Sequence, residues 1–360
     1  MKKIFFSPSP SSAGYSSLSE RTVSDGIRFS REMGFRTVVA KKSMPRAPTY
    51  YAKLLGAWNR ADIFVAMYPY FCSPRPKPSG LVFNPINRAI MKMLERLNQH
   101  IRAILFVLDL PIDQTIAHRR SALYDEAAYE VECKIFKNFD MLCVFNERMT
   151  KKISDRYDIC QESFVEFEML DYGISYVPLS VKTVQSGKWK IVYAGNLHQD
   201  YVGTWMIDIP RSQNVWYEFL GTGGNWISKI GRNDIAWRGF IPADEFADYI
   251  SRNFDFGIIA ANHKRKEYLE YTRPSKLSAY LSAGLPVIVP DYPSIAEIVN
   301  KYRVGIVLNS LKDLPSAVEN LCVADYTDMR NNALQLGTKL RSGYFFKRAL
   351  SQAMNKLGLS

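Results

Sequence analysis

Apolar segments alternate with polar loops along the first half of the chain, in the order strand, helix, strand. Residues 2–6 (KKIFF) predict a first strand, a helical pattern ends at Gly34, and residues 35–40 (FRTVVA) predict a second strand. This βαβ unit is the building block of a parallel sheet. The same alternation predicts further strands in this half at 62–67, 101–108 and 141–145.

The pattern restarts in the second half, after a polar and turn-rich segment around 180–188. Helical patterns again separate the apolar runs, so this half is also predicted to be a doubly wound α/β domain. The predicted strands lie in the segments 190–195, 215–223, 234–240, 254–261, 285–289 and 304–309.

Together these patterns predict an α/β fold with two Rossmann-like, doubly wound domains that face each other across a cleft. The first domain is expected to span residues 1–180 and the second residues 188–325. The cleft is expected between the carboxyl ends of the two sheets, where open α/β folds bind their ligands. A helical segment at 326–360 is expected to pack back on the first domain.

The composition is typical of a globular enzyme in a reducing compartment. Hydrophobic residues make up 47% of the chain and charged residues 23%, and no apolar run approaches the roughly 20 residues that a membrane span needs. The N-terminus lacks the apolar core of a signal peptide, and the five cysteines are scattered without a C-x-x-C motif. The sequence therefore predicts a cytoplasmic protein. The four dispersed histidines give no grounds for a structural metal site.

The formal charge of +12 suits nucleic acid, an anionic membrane surface or phosphorylated substrates. No zinc-finger, helix-turn-helix or RNA-recognition signature is present, so no nucleic-acid partner is predicted. A basic stripe at helical spacing predicts peripheral contact with the inner face of the cell membrane; the alternative is the solvated face of an ordinary amphipathic helix. The residues of this surface are Arg88, Lys92 and Arg96, with Arg102, Arg119, Arg120, Tyr50 and Tyr51.

The segment 270–289 (EYTRPSKLSAYLSAGLPVIV) places two cations where a helix dipole opposes them. Pro274 opens a predicted helix, which Gly284 ends before a short apolar strand. Arg273 and Lys276 lie at the positive end of this helix, where backbone N–H groups favour an anion. The arrangement predicts a phosphate or diphosphate site. The alternative is that both side chains point outward as solvated charges.

The same segment resembles the donor-binding segment of bacterial GT-B glycosyltransferases. It is closest to the group that contains galactofuranosyltransferases and related glucosyltransferases of surface glycans. The matching positions are Pro274, Lys276, Tyr280, Leu281, Ala283, Gly284, Pro286, Val287 and Ile288. Shorter similarities to the group are YAGNL at 193–197 and WRGFIPADE at 237–245. LDLP at 108–111 resembles a histidine–aspartate segment of the group, with Leu108 in the histidine position.

The resemblance implies a UDP-hexose donor, galactofuranosyl in the nearest group, bound by the second domain, and a glycan acceptor held by the first. It places Arg273 and Lys276 on the diphosphate of the donor. The other nucleotide-sugar-binding positions are Gly14, Asn196, Gly239, Phe240, Ile241 and Tyr271. The acceptor is expected to be a precursor of bacterial surface polysaccharide or glycoconjugate, attached to a polyprenyl diphosphate. The oligomeric state stays open, and a homo-oligomer is one of the alternatives.

Inversion of configuration is the predicted course of the transfer. Many retaining GT-B enzymes carry two glutamates eight residues apart in this region, and the matching positions here are Tyr271 and Ala279. An inverting transfer needs a base that takes the proton of the acceptor hydroxyl.

Asp109 is the predicted catalytic base, because it directly follows the strand predicted at 101–108. Asp113 and His118 are further candidates nearby. The alternative for Asp109 is a structural role, since aspartate often caps a turn beside a proline such as Pro111.

No cofactor and no metal are predicted. A D-x-D pair is missing, so cationic side chains are expected to neutralise the leaving diphosphate. The LGTGGNW segment at 220–226 has Trp226 where a dinucleotide motif has its third glycine, which disfavours a dehydrogenase. A non-catalytic nucleotide-sugar-binding partner of a transferase is the stronger alternative, because Leu108 replaces the histidine of the group.

Overall fold

The computed structural model describes residues 1–8, 18–40, 48–70, 101–116, 122–174 and 187–359. Several predicted positions lie outside these residues: Gly14, Arg88, Lys92, Arg96, His118, Arg119, Arg120 and the side chains of Tyr50 and Tyr51. The chain divides into two compact units. The first contains the first strand, Thr22–Leu170 and the chain from Tyr344 onward, and the second contains Asp171–Gly343 together with the described residues 18–21.

The first unit is built on a parallel sheet, six-stranded in the described part of the chain, in the order β2-β1-β3-β4-β5-β6. Its strands are β1 (Lys3–Pro8), β2 (Arg36–Ala40), β3 (Ile63–Tyr68), β4 (Arg102–Val107), β5 (Met141–Val144) and β6 (Phe164–Glu166). The described helices between them are α1 (Leu18–Glu32), α2 (Pro48–Trp58), α3 (Pro111–Ile116), α4 (Ala122–Lys137) and α5 (Glu147–Tyr157), and a 3₁₀ turn (Gln161–Ser163) precedes β6.

The second unit has a parallel sheet of its own, also six-stranded as described, in the order β12-β11-β10-β7-β8-β9. Its strands are β7 (Trp189–Ala194), β8 (Val215–Leu220), β9 (Ile235–Gly239), β10 (Phe256–Ile258), β11 (Val287–Pro290) and β12 (Gly305–Leu308). The order reverses between β7 and β10, and we call this place the switch point. Doubly wound folds bind their ligands at the carboxyl ends of the strands beside such a point.

Helices connect the strands of the second unit, and two more follow its last strand. They are α6 (Gln199–Val202), α7 (Trp205–Asp208), α8 (Ala243–Asn253), α9 (Lys266–Leu269), α10 (Ser275–Ser282), α11 (Pro293–Tyr302), α12 (Leu314–Glu319) and α13 (Val323–Ser342). Three 3₁₀ turns accompany them in the described residues, at Ile227–Lys229, His263–Arg265 and Leu311–Asp313.

The predicted α/β fold is confirmed, since both sheets are parallel and doubly wound. Strands buried on both faces must be apolar throughout, which is why the apolar runs of the sequence locate them. Every side chain of β3, for example, is buried. None of the helices that the structure describes is both long and apolar enough to cross a membrane.

The C-terminal helical segment is divided between the two units. α13 lies in the second unit, where Arg341 donates to the carbonyl of Ser282 at 2.6 Å. The last helix, α14 (Tyr344–Lys356), belongs to the first unit. There Phe346 stacks on Phe106 of β4, with 4.4 Å between the ring centroids. The return to the first unit therefore begins at Tyr344, later than the segment 326–360 predicts.

Candidate functional site

Helix α10 is fixed at the switch point by Tyr280. The Tyr280 hydroxyl accepts a hydrogen bond of 2.7 Å from the backbone N–H of Ala194, the last residue of β7. The Tyr280 ring packs over Gly257 of β10, where an added Cβ would lie 2.4 Å from it. One side chain thus bridges the two strands between which the order reverses. Lys276 lies four residues earlier, on the same face of the helix.

Lys276 reaches the carboxyl end of β7. Its Nζ atom lies 3.9 Å from the centroid of the Tyr193 ring, and 3.5 Å from where a Cβ on Gly195 would be. Burial, with a smaller contribution from the positive charge of Arg265, lowers the pKa of Lys276 to about 7. No carboxylate of the described residues forms an ion pair with it. The fold therefore disfavours the charged form of Lys276, and a nearby anion would favour it again.

The loops after β7, β8 and β9 lie side by side at the same edge of the sheet. The N–H of Gly195 donates to the carbonyl of Leu220 at 2.9 Å, and the N–H of Gly221 donates to that of Gly239 at 2.6 Å. Gly221 adopts φ +142°, and a Cβ on it would lie 1.8 Å from the carbonyl oxygen of Gly195. This contact requires glycine. It aligns the turns that contain the predicted nucleotide-binding residues.

The predicted nucleotide-binding residues lie along this edge. Asn196 is exposed, and its Oδ1 atom accepts the N–H of His198 at 2.9 Å. Gly239 ends β9 with φ +96°. Phe240 follows with half of its side chain exposed, and Ile241 is half-buried. The structure thus brings these four residues to the edge that Lys276 also reaches. Their contact with a nucleotide stays a prediction.

Two tryptophans support the loops from the sheet side. Trp226 Nε1 donates to the carbonyl of Leu197 at 2.7 Å, and Trp237 Nε1 donates to that of Gly221 at 3.0 Å. Both hydrogen bonds hold main-chain segments that flank the edge.

Arg273 lies outside the first helical turn in which the sequence analysis places it, and its side chain is not the solvated charge of the alternative. α10 begins at Ser275, with Pro274 as its N-cap, so Arg273 precedes the helix. Its guanidinium is buried and points to α11: Nε donates to the carbonyl of Ser294 at 2.9 Å, and Nη2 to Glu297 at 3.0 Å. These contacts assign Arg273 a structural role, because both partners belong to the protein. A direct contact with diphosphate stays an untested prediction for this residue.

The positions of the missing glutamate pair are both buried. Tyr271 packs edge-on against Tyr268, with 5.8 Å between the ring centroids. Ala279 is fully buried within α10. Neither side chain contributes a carboxylate to the edge. The predicted role of Tyr271 in binding the nucleotide sugar stays untested.

In the first unit, Asp109 is half-buried and lies two residues after the end of β4, since the strand ends at Val107 and not at the predicted position 108. Asp113, the second candidate base, is buried and accepts two hydrogen bonds from Arg156, at 2.9 and 3.1 Å. An arginine that bonds to both carboxylate oxygens makes them less available to an acceptor hydroxyl. Asp109 therefore remains the better candidate of the two.

Two residues of the second unit are missed by the sequence analysis. Tyr193 supplies the ring below Lys276, and Arg265 ends the turn His263–Arg265 that follows β10. Arg265 is 8% exposed, and its guanidinium carbon lies 5.6 Å from the centroid of the Tyr268 ring. In the sequence, Arg265 stands within the basic run HKRK at 263–266. Runs of charged residues are usually exposed to solvent, so the sequence gives no sign that Arg265 is buried.

Comparison with protein families and curated proteins supports the resemblance found in the sequence. Residues 191–353 match the family model "Glucosyltransferase 3-like, C-terminal domain". Glucosyltransferase 3 of Streptococcus gordonii is 40% identical over 24% of this chain and 26% of its own length. Beta-1,6-galactofuranosyltransferase WbbI of Escherichia coli is 24% identical over 61% of this chain and 64% of its own length. The chain thus covers less than two thirds of these curated relatives.

Solved structures extend the similarity to the whole chain. Anabaena HepE, solved in complex with UDP, superposes with a TM-score of 0.61 at 11% identity, covering 99% of this chain and 100% of HepE. WaaG, a glycosyltransferase involved in lipopolysaccharide biosynthesis, gives a TM-score of 0.58 at 14% identity over 96% of this chain and 98% of its own. The fold is that of GT-B glycosyltransferases, and the resemblance inferred from the sequence is confirmed.

Proposed function

We propose that this protein is a glycosyltransferase that binds a UDP-linked hexose at the carboxyl edge of the second sheet and transfers the sugar to a glycan acceptor. The observation that carries the proposal is the position of Lys276. The fold brings its ammonium to the switch point, with no carboxylate partner in the part of the chain that the structure describes. A bound diphosphate offsets the cost of burying this charge beside Arg265.

The relatives support a UDP-hexose as the donor. HepE was solved with UDP bound, and the names of the curated relatives specify glucosyl and galactofuranosyl transfer. Galactofuranose and glucose are therefore the first sugars to test. We propose an acceptor of bacterial surface polysaccharide or glycoconjugate synthesis, attached to a polyprenyl diphosphate at the cytoplasmic face of the membrane. The charge of +12 suits both the acceptor and that surface.

The proposed reaction is a direct displacement with inversion. The acceptor oxygen forms a bond to the anomeric carbon while the bond from that carbon to the diphosphate oxygen breaks. Asp109 takes the proton of the acceptor hydroxyl, and Lys276 neutralises the charge that develops on the departing UDP. Asn196 and the turn Gly239–Ile241 hold the nucleotide. In this mechanism protein cations take the place of a metal ion.

A panel of sugar nucleotides tests the proposal. UDP-galactofuranose, UDP-glucose and GDP-mannose are incubated with the protein and a polyprenyl-diphosphate-linked acceptor, and release of the nucleoside diphosphate is measured. We expect turnover with a UDP-hexose, and a loss of at least about tenfold in UDP affinity in Lys276→Ala. Lys266→Ala is the matched control, since Lys266 is exposed and ten residues earlier. Binding of UDP that survives in Lys276→Ala contradicts the proposed site.

The same panel separates the alternative functions. UDP binding that depends on Lys276, without turnover of any sugar nucleotide, supports a non-catalytic nucleotide-sugar-binding partner. Thermal stabilisation by NADH alone, with none by UDP, supports an oxidoreductase instead.

A further inference from the structure

The proposed diphosphate site has one identified cation, Lys276. Arg273, the second cation predicted from the sequence, bonds to Ser294 and Glu297 of α11 instead. A diphosphate carries charge on two phosphoryl groups, and one lysine interacts with it as a single point charge. An arginine offers a planar pair of donors that matches phosphate oxygens. Two arginines, Arg265 and Arg273, follow β10 before α10 begins, and Arg265 is the one that does not bond to α11 in the contacts given above.

The path of the chain after β10 explains this placement. β10 is the neighbour of β7, and Gly257 pairs with Val192 in register. The chain continues past the sheet edge, where a Cβ on Gly203 would lie 3.0 Å from Asn262, so the loop after β10 lies against the segment that follows β7. The turn His263–Arg265 comes next, closed by the bond from Arg265 N–H to the carbonyl of Asn262 at 2.8 Å.

Burial and charge distinguish Arg265 from the exposed cations around it. It is 8% exposed, whereas its neighbours His263 and Lys266 are exposed. Its charge is felt by Lys276, whose pKa it lowers in addition to the effect of burial. Burial raises the pKa of Tyr292, and the charge of Arg265 reduces that rise. Like charges that act on each other repel, and an anion bound by both removes that penalty.

We propose that Arg265 is the second cation of the diphosphate site and binds the donor together with Lys276, while Arg273 braces α10 against α11. This inference rests on the proposed function of the same site. In this arrangement Lys276 interacts with one phosphoryl group of the donor and Arg265 with the other.

The test compares UDP with uridine in Arg265→Gln, Lys276→Ala and Lys266→Gln. UDP binding is followed by calorimetry and uridine binding by saturation-transfer NMR. We expect Arg265→Gln to weaken UDP binding roughly tenfold to a hundredfold while leaving uridine binding unchanged. Lys266→Gln removes the same charge from the next residue and is expected to bind UDP like the wild type.

The pH dependence of UDP-hexose binding distinguishes an electrostatic from a purely structural role of Arg265. A purely structural role would leave the midpoint of this dependence unchanged. Without the positive charge of Arg265, the ammonium of Lys276 is retained to higher pH, so the midpoint of UDP-hexose binding is expected to shift upward in Arg265→Gln. If that variant does not fold, Arg265→Lys is measured. Because lysine keeps the positive charge, we expect Arg265→Lys to show the same fall of affinity at high pH as the wild type. We also expect it to bind UDP more weakly and uridine equally well.

The outcomes separate the two proposals. Normal UDP binding by the Arg265 variants, with a loss in Lys276→Ala, overturns the role of Arg265 and leaves the proposed function in place. Normal UDP binding by both sets of variants overturns the diphosphate site itself. An equal loss of UDP and uridine binding in the Arg265 variants also overturns this inference, because the residue would then act on the fold of the loop.

Discussion

The Nζ atom of Lys276 lies 3.9 Å from the centroid of the Tyr193 ring, on the face of an aromatic residue near the end of β7. An aromatic face attracts a cation, which favours the charged lysine. Burial and the charge of Arg265 act in the opposite direction and dominate, so the pKa of Lys276 falls to about 7. Lys276 is therefore half charged near neutral pH in the free protein, and an anionic ligand changes that balance.

The affinity for a UDP-hexose is expected to depend on pH through Lys276. A bound diphosphate favours the ammonium and raises the pKa of Lys276 above its free value of about 7. The affinity should be constant below pH 7 and fall by up to about tenfold per pH unit above it. Calorimetry from pH 6 to pH 9 measures this, and a UDP-hexose is used because its diphosphate does not titrate in that range. Lys276→Met should bind weakly and independently of pH; a wild-type affinity that rises with pH would contradict the assignment.

Gly221 is expected to be irreplaceable for steric reasons. In Gly221→Ala the new Cβ would lie 1.8 Å from the carbonyl oxygen of Gly195, at φ +142°, so the loops after β7 and β8 must separate. We expect a loss of more than about 2 kcal/mol in the free energy of unfolding, together with weaker UDP binding.

Gly231→Ala is the matched control for this prediction. Gly231 has φ +70° but no neighbouring atom within 4 Å of an added Cβ, so only the backbone penalty of about 1–2 kcal/mol applies. Urea unfolding monitored by circular dichroism compares the two variants. Equal losses of stability in the two variants would show that the contact of the new Cβ with Gly195 adds nothing to the backbone penalty.

The structural role of Arg273 predicts a loss of stability without a specific loss of UDP binding. Arg273→Met removes buried hydrogen bonds to Ser294 and Glu297, which should cost about 1.5–3 kcal/mol in the free energy of unfolding. Glu297→Gln removes only the charge of the half-exposed partner and should cost less than about 1 kcal/mol. Thermal unfolding and UDP titration measure both effects. A stable Arg273→Met protein that no longer binds UDP would contradict the structural role and support a direct contact of Arg273 with the diphosphate.

Asp109→Asn is expected to separate binding from catalysis. The amide keeps the size of the side chain but cannot accept the proton of the acceptor hydroxyl. Turnover should fall by about a hundredfold or more, while the affinity for UDP stays unchanged. The experiment measures UDP release and UDP binding on the same preparation, with Asp113→Asn as a comparison at the ion-paired neighbour. Undiminished turnover in Asp109→Asn removes this residue from the mechanism.

The strands of the second sheet are predictable from the sequence because each is a short apolar run between polar loops. β6 escapes prediction, since its three residues FVE at the sheet edge show neither a long run nor clear alternation. Helix α10 and the position of Lys276 in its first turn also follow from local spacing. These features are determined within one turn or one strand of the residues concerned.

The partners of the charged residues are not predictable from spacing. Arg273 bonds to residues 21 and 24 positions away, and Tyr280 bonds to a backbone group 86 positions away. An aromatic at helical spacing is typical of an ordinary core residue, and only the paired strands show that Tyr280 bridges the switch point. Arg265 is similar, because its burial depends on the loop that follows β10.

The buried network around Glu132 provides a test of electrostatics within the first unit. Glu132 is fully buried on α4, and the hydroxyls of Tyr68 and Tyr157 donate to its two oxygens. Arg156 lies 3.8 Å away and is engaged mainly by Asp113. Burial dominates these contacts and raises the pKa of Glu132 from 4.5 to about 7.

Because this pKa is higher in the folded than in the unfolded protein, its contribution to stability is fully present below pH 4.5 and is lost as pH rises through 7. The expected loss in the free energy of unfolding is as much as about 3 kcal/mol between pH 5 and pH 8. Glu132→Gln mimics the protonated carboxyl and should remove this pH dependence, while Glu130→Gln, on the exposed side of the same helix, should retain it. Hydrogen exchange of the α4 amides at several pH values measures the effect within the first unit. Equal pH dependence in wild type and Glu132→Gln would show that Glu132 is ionised in the folded protein throughout this range.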